Sequence, residues 1–168
     1  MIGTFVLNSC SMTTNCLSRD FDFLIVDREH GAHSFERVNH LLDAMEPRCE
    51  KIIRVSHIDR VEIQRALELN PDGVLVPQVS GLEDVSTVLS YCKYPPAGVR
   101  GTSPFTKSFG FINDSIEEKK DKLNSVKVSL LIEGGAGFEA LESILERYSD
   151  QLNMIYFGFY DFAASYQL

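Results

Sequence analysis

"KIIRVSHIDRVEIQRALELNPDGVLVP", residues 51 to 77, holds the repeating unit from which the fold follows. Lys51 to Val55 is a short run rich in β-branched residues. Asp59 to Leu69 then carries Val61, Ile63, Ala66 and Leu67 at helical spacing, and Gly73 to Pro77 is apolar again. A strand, one helix and a second strand in immediate succession make a parallel pair with a helical crossover. The same alternation runs outward in both directions. Ile2 to Leu7 and Phe21 to Asp27 read as strands on the N-terminal side. Between them and Lys51 a helix starts at Ser34, a plausible cap, with Val38, Leu41, Leu42 and Met45 in register before Pro47. On the C-terminal side come a helix from Leu82 to about Tyr91 and a Gly/Pro-rich stretch, 93 to 111, unsuited to a long regular element. A helical pattern follows over 115 to 123, then a strand at 126 to 133, a helix from Phe138 to Tyr148 and a sixth strand at 153 to 158.

Nearly continuous apolar strands separated by helices imply a parallel sheet with covered faces. Spacings of roughly 20 to 30 residues per strand–helix unit favour a TIM (β/α)8-type barrel over an open sheet. No G-x-G-x-x-G follows the first strand, which speaks against a dinucleotide-binding fold. The expectation is an α/β protein with one domain over residues 1–168, an incomplete barrel of six βα units where a closed one has eight.

Composition narrows the function. The chain has 168 residues, and its 24 acidic against 16 basic side chains give a formal charge of -8. That balance disfavours nucleic acid as a partner, because phosphate binding demands a basic face. The Lys119-Lys120-Asp121-Lys122 cluster follows Glu117-Glu118 and reads as a solvated helix face. No apolar run approaches the roughly 18 residues of a membrane span. Cys10, Cys16, Cys49 and Cys92 form no C-x-x-C pair and read as reduced thiols, chiefly core filler, which suggests the cytoplasm.

In a barrel the chemistry gathers at the C-terminal ends of the strands. The second strand delivers Asp27, Glu29 and His30 there, and the third Arg54 and then His57. The fourth delivers Pro77 and Gln78, the fifth Glu133 followed by Gly134-Gly135-Ala136-Gly137, and the sixth Gly158 and Asp161. Glu133 and Asp161 make a hard oxygen pair suited to Mg²⁺ or Mn²⁺, which would keep positions free for water and a chelating 2-oxo acid. Arg54 suits a developing enolate oxygen, and His30 a proton transfer with Asp27 fixing its orientation. Blander roles remain open at this point. A strand-end carboxylate can cap a helix, and Arg54 can serve a structural ion pair. His30 and His33 are spaced H-x-x-H without a third Cys or His nearby, so zinc is disfavoured. His40 and His57 read as surface residues. The glycine run lacks the Lys and Ser/Thr of a P-loop and reads as a tight turn.

"FDFLIVDREHG", "IIRV", "GVLVPQV" with "EDV", "KYPPAGVRG", "LLIE" and "GFYDFAAS" occur in the order found in HpcH/HpaI aldolases, and the chain resembles that family from Ile2 to Ser165. The resemblance implies a metal-dependent aldolase that cleaves or forms a 4-hydroxy-2-oxo acid through a pyruvate enolate, with an aldehyde as second partner. It implies metal ligands at Glu133 and Asp161, the polarising arginine at Arg54, and the acid/base histidine at His30 paired with Asp27. The backbone of Gly158, Phe159 and Tyr160 would hold the pyruvate carboxylate. Leu131 replaces a frequent Gln, Gly134-Gly135 replace a polar successor to the glutamate, and Phe159 stands where proline is usual. These departures and the short chain motivate a rival reading, an impaired relative that binds a small carboxylate or a partner protein. A third reading, a CoA-ester lyase of the citrate lyase type, has less support, because no basic pocket for the CoA phosphates is evident. Sheet edges left at the first and sixth strands suggest a homo-oligomer.

Overall fold

Each apolar run folds as a strand within about two residues of its expected limits: β1 (Gly3–Val6), β2 (Phe23–Asp27), β3 (Glu50–Arg54), β4 (Gly73–Val76), β5 (Lys127–Ile132) and β6 (Met154–Phe157). The structure is a computed structural model and describes residues 1–111 and 115–167. All five pairings are parallel, and the strand order is the chain order. The two faces of this sheet differ. One carries Ile25, Ile52, Leu75 and Leu131 with Phe5, Phe23, Met154 and Tyr156, all of them strand residues. The other, with Val26, Ile53, Val74, Val76 and Leu130, packs on helix residues such as Val38, Leu41, Ile63, Val85 and Ile144. Helices on one face only, around a sheet whose other face closes on itself, define a barrel segment rather than an open doubly wound sheet. The curl brings Phe5 of β1 against Tyr156 of β6, edge to face with centroids 5.4 Å apart, although those strands are not hydrogen-bonded neighbours.

The outer helices are α1 (Ser11–Ser18), α2 (Phe35–Ala44), α3 (Arg60–Glu68), α4 (Leu82–Cys92), α5 (Ile116–Leu123), α6 (Gly135–Glu139), α7 (Leu141–Tyr148) and α8 (Phe159–Ser165). Ser34 caps α2 through the Arg37 amide, and Asp59 caps α3 through those of Val61 and Glu62. None of these helices, among the described residues, is long and apolar enough to cross a membrane. Residues 93 to 111 hold only a three-residue 3-10 turn at Lys107–Phe109.

Three local expectations change. Helix α1 occupies a segment without apolar periodicity, because the residues it buries are Thr14 and Ser18. Their hydroxyls bond to the carbonyls of Cys10 and Asn15, and Ser18 also accepts the Glu46 amide. The helix expected from Phe138 to Tyr148 is broken at Ala140, and the preceding glycines, expected as a tight turn, open α6. Gly137 is required there, since a Cβ would lie 2.3 Å from the Val79 carbonyl oxygen. Of the four cysteines, all free, only Cys49 and Cys92 are core residues; Cys10 and Cys16 are exposed.

Cys92, at the end of α4, is fully buried, and burial pushes its thiol up to about 12. In the unfolded chain the thiol ionises near its ordinary value of about 8.5. The stability tied to the neutral thiol is complete below that value and is lost as pH rises toward about 12. Each pH unit in this window should remove up to about 1.4 kcal/mol. Urea midpoints should therefore fall more steeply between about pH 8.5 and 11 in the natural chain than in Cys92→Ala. Equal slopes would assign the alkaline loss to other groups.

Candidate active site

Pairing of β2 with β3 places Asp27 opposite Arg54 at the last residues of both strands. Both side chains are buried, and they meet in a fork: Arg54 Nε donates to Asp27 Oδ1 at 2.8 Å and Nη2 to Oδ2 at 2.5 Å. The third nitrogen, Nη1, lies 3.0 Å from Glu29 Oε2, and the guanidinium carbon sits 4.8 Å from the centre of the Phe5 ring. Burial works against charge on both partners. The Arg54 fork, with the amides of Glu29 and His30, nevertheless holds Asp27 below the usual carboxylate range. Asp27, Glu29 and Glu133 likewise keep Arg54 above its ordinary value.

That geometry corrects one expectation. Asp27 does not orient the His30 ring, because both of its oxygens are already engaged by Arg54 and by main-chain amides. It bonds to the His30 backbone instead. The His30 ring stands at the rim, 63% exposed, with Nε2 4.0 Å from Glu29 Oε2.

Glu133, one residue past β5, is 8% exposed. Its Oε1 accepts the backbone N–H of Gln78 at 2.8 Å. Gln78 holds φ at 59°, a left-handed conformation that side chains other than glycine seldom adopt. From there its side-chain amide also donates to Glu29 Oε1 at 3.2 Å. One residue thus ties two carboxylates together, and strained backbone of this kind concentrates at functional sites. Burial raises the Glu133 carboxyl above its ordinary value; the Gln78 amide and Arg54 oppose the shift, while the charges of Glu29 and Asp161 add to it.

Asp161 lies in the first turn of α8. It faces, with Glu133, Arg54, Asp27 and His30, a cavity of about 540 Å³ whose apolar wall includes Phe5, Leu7, Leu131 and Tyr156. Gly158 sits at the centre of this arrangement. A Cβ there would lie 2.7 Å from Glu133 Cβ and 3.2 Å from its Oε2, so glycine keeps the space beside that oxygen open. The Gly158 amide is itself taken by the Ile132 carbonyl, which leaves the Phe159 and Tyr160 amides, at the start of α8, as the donors of that segment. Both side chains are largely exposed, and the Phe159 ring stands edge-on to that of Phe157.

Two carboxylates and open space suit a hard divalent ion. Among the described residues no three His, Cys, Asp or Glu form a complete metal cage. Mg²⁺ and Mn²⁺ need none, since they keep water and take remaining ligands from substrate. The H-x-x-H pair is not such a site: the His33 ring is buried between Ser9 Oγ and the Val6 carbonyl, each at 3.3 Å. His40 and His57 are on the surface, as expected.

The family model described as HpcH/HpaI aldolase/citrate lyase matches residues 2–168. The chain belongs to this family. A 2-dehydro-3,6-dideoxy-6-sulfogluconate aldolase of Pseudomonas putida is 36% identical over 60% of the chain and 40% of its own length. A 4-hydroxy-2-oxovalerate aldolase of Rhodococcus jostii is 29% identical over 89% of the chain and 57% of its own length. The crystal structure of an HpcH/HpaI aldolase from Desulfitobacterium hafniense superposes with a TM-score of 0.84 at 25% identity, covering 98% of this chain and 63% of that one. A family protein from Burkholderia cenocepacia gives 0.88 at 20% identity, covering 98% and 66%. The chain therefore spans less than two thirds of the length of these HpcH/HpaI relatives.

Within that cluster the sequence placed Glu29 and Gln78 at strand ends without a role. Glu29 stands between Asp27 and His30, whose chemistry is more conspicuous in the sequence. Gln78 lies within the GVLVPQV run, but its contribution rests on a backbone angle that no residue pattern displays.

Proposed function

We propose that this chain forms the metal and 2-oxo acid end of a divalent-metal-dependent aldolase-type lyase. The observation that carries the reading is the convergence of Glu133, Asp161 and Arg54 on one cavity at the C-terminal ends of the strands. The reaction that fits is cleavage or formation of the C3–C4 bond of a 4-hydroxy-2-oxo acid. Mg²⁺ or Mn²⁺ held by Glu133 and Asp161 would supply a Lewis acid for the keto oxygen.

The chain's own groups account for the rest. Arg54, locked flat by Asp27 and Glu29, holds a fixed positive charge beside the oxygen that becomes negative, so it needs no reorganisation as charge develops. The Phe159 and Tyr160 amides are donors for the substrate carboxylate. His30 takes the C4 hydroxyl proton at Nε2. As that proton leaves, C4 becomes the aldehyde carbon, the C3–C4 bond breaks and its electron pair passes into the enolate of pyruvate. Proton return to C3 completes pyruvate. Phe5, Leu7 and Tyr156 limit water on the enolate side.

The direct test is metal-dependent release of pyruvate from a 4-hydroxy-2-oxo acid, followed by a coupled assay. His30→Ala should slow turnover by about 10²- to 10⁴-fold, the usual worth of a general acid–base group, and leave binding of Mn²⁺ with oxalate unchanged. No pyruvate with any divalent metal would defeat the lyase reading. Tight binding of Mn²⁺ with oxalate but no turnover would favour a carboxylate-binding protein.

A further inference from the structure

The opposite end of the sheet holds a second cavity, of about 280 Å³, beside the N-terminal ends of β4 and β5. Asp72 and Lys127 mark that end in its wall, and Asn70, Arg100, Lys122 and Ser125 complete its polar part. Arg100 is the unusual member. It is 2% exposed, yet Nε and Nη2 have no hydrogen-bond partner and no carboxylate pairs with it among the described residues. Its guanidinium lies over the Tyr94 ring, 4.6 Å from the centroid, and Tyr94 and Glu68 support the charge, but neither satisfies Nε or Nη2.

The acids nearby are committed elsewhere. Asp72 accepts the Lys51 amide at 2.8 Å, Glu68 accepts Gln64 Nε2 at 3.2 Å, and Glu50 holds Lys127 Nζ at 2.7 Å. Lys122 makes no ion pair among the described residues and is exposed at the cavity's edge. A buried guanidinium with idle donors carries a desolvation cost, which Tyr94 and Glu68 offset only in part. A planar fork of this kind is suited to two oxygens of one oxyanion.

We propose that this cavity is an anion site, built on Arg100 and Lys122, for a phosphate-class oxyanion. It is separate from the strand-end cluster, and its occupation would restrain the long segment bearing Arg100 against the bottom of the sheet.

The test is a titration of the ¹⁵N-labelled chain with inorganic phosphate, replacing chloride at constant ionic strength. The Arg100 Nε–Hε resonance and the Ser125 and Val126 amides should shift and saturate with a dissociation constant of about 1 mM or tighter. Lys122→Glu should weaken this response at least about tenfold, and Arg100→Met should abolish the amide shifts. If Arg100→Met does not fold, Lys122→Glu decides alone. His30→Ala, an exposed change at the other end, should leave the response intact. Absence of saturable shifts, an unchanged response in Lys122→Glu, or loss in His30→Ala would each overturn the assignment.

Discussion

Asp27→Ala is expected to lower the free energy of unfolding by about 3–5 kcal/mol, the cost of leaving a buried charge without its partner. The size follows from three losses at once. Arg54 forfeits both hydrogen bonds of its fork, at 2.8 and 2.5 Å, in a site where it is 7% exposed. The amides of Glu29 and His30 lose their acceptor, and the turn leaving β2 loses its brace. Glu29 remains beside Nη1 and limits the damage. Asp27→Asn keeps the shape and one acceptor, so its cost should be smaller. The chain has no tryptophan, which makes urea unfolding by circular dichroism the suitable measurement.

The pH dependence gives an independent reading of the same pair. The folded carboxyl lies below the ordinary value, so its contribution is complete above about pH 4 and is lost as pH falls through the lower folded value. The acid limb of stability should flatten in Asp27→Asn. A value for Asp27→Ala within about 1 kcal/mol of the natural chain would show that the fork is not a structural keystone.

The barrel segment was legible because its signals are local. Runs such as Gly73–Val76 are buried throughout, and helices such as α3 bury one stripe, Ile63, Ala66 and Leu67. Strand ends follow directly, so Arg54, Glu133 and Asp161 fell at one mouth. What escaped were features made by distant partners. Helix α1 buries hydroxyls rather than apolar groups, so it has no stripe to detect. The glycines that open α6 are needed where Gly137 meets the Val79 carbonyl, a contact between distant parts of the chain. Asp27 reads as a partner of the histidine three residues later. The parallel register instead sets it opposite Arg54, and a bidentate arginine on the next strand takes precedence over a neighbouring ring. Gln78 belongs to the same class, since neither its positive φ nor its two carboxylate partners is written in any local pattern.

Glu133→Gln and Asp161→Asn are each expected to lower Mn²⁺ affinity by more than about 100-fold, because even changes behind a metal ligand cost about 10- to 100-fold. Glutamine at 133 still offers an oxygen to the Gln78 amide, so the fold around β5 should persist and only the charge is removed. Mn²⁺ binding followed by electron paramagnetic resonance measures this without requiring turnover. Gly158→Ala provides a third, steric arm. Its new Cβ would press on Glu133 Cβ at 2.7 Å and sit 3.2 Å from Oε2, so affinity should fall while both carboxylates remain. Gln78→Gly, in contrast, keeps the backbone amide on Glu133 and suits the φ of 59°, but releases Glu29. It should preserve Mn²⁺ binding and disturb the Arg54 end. If Glu133→Gln and Asp161→Asn both bound Mn²⁺ within about threefold of the natural chain, the carboxylate pair would not be the metal site. Opposite responses of Gly158→Ala and Gln78→Gly would separate the two ends of the cavity, with Glu133 and Asp161 as the proposed ion end and Glu29 and Asp27 as the arginine end.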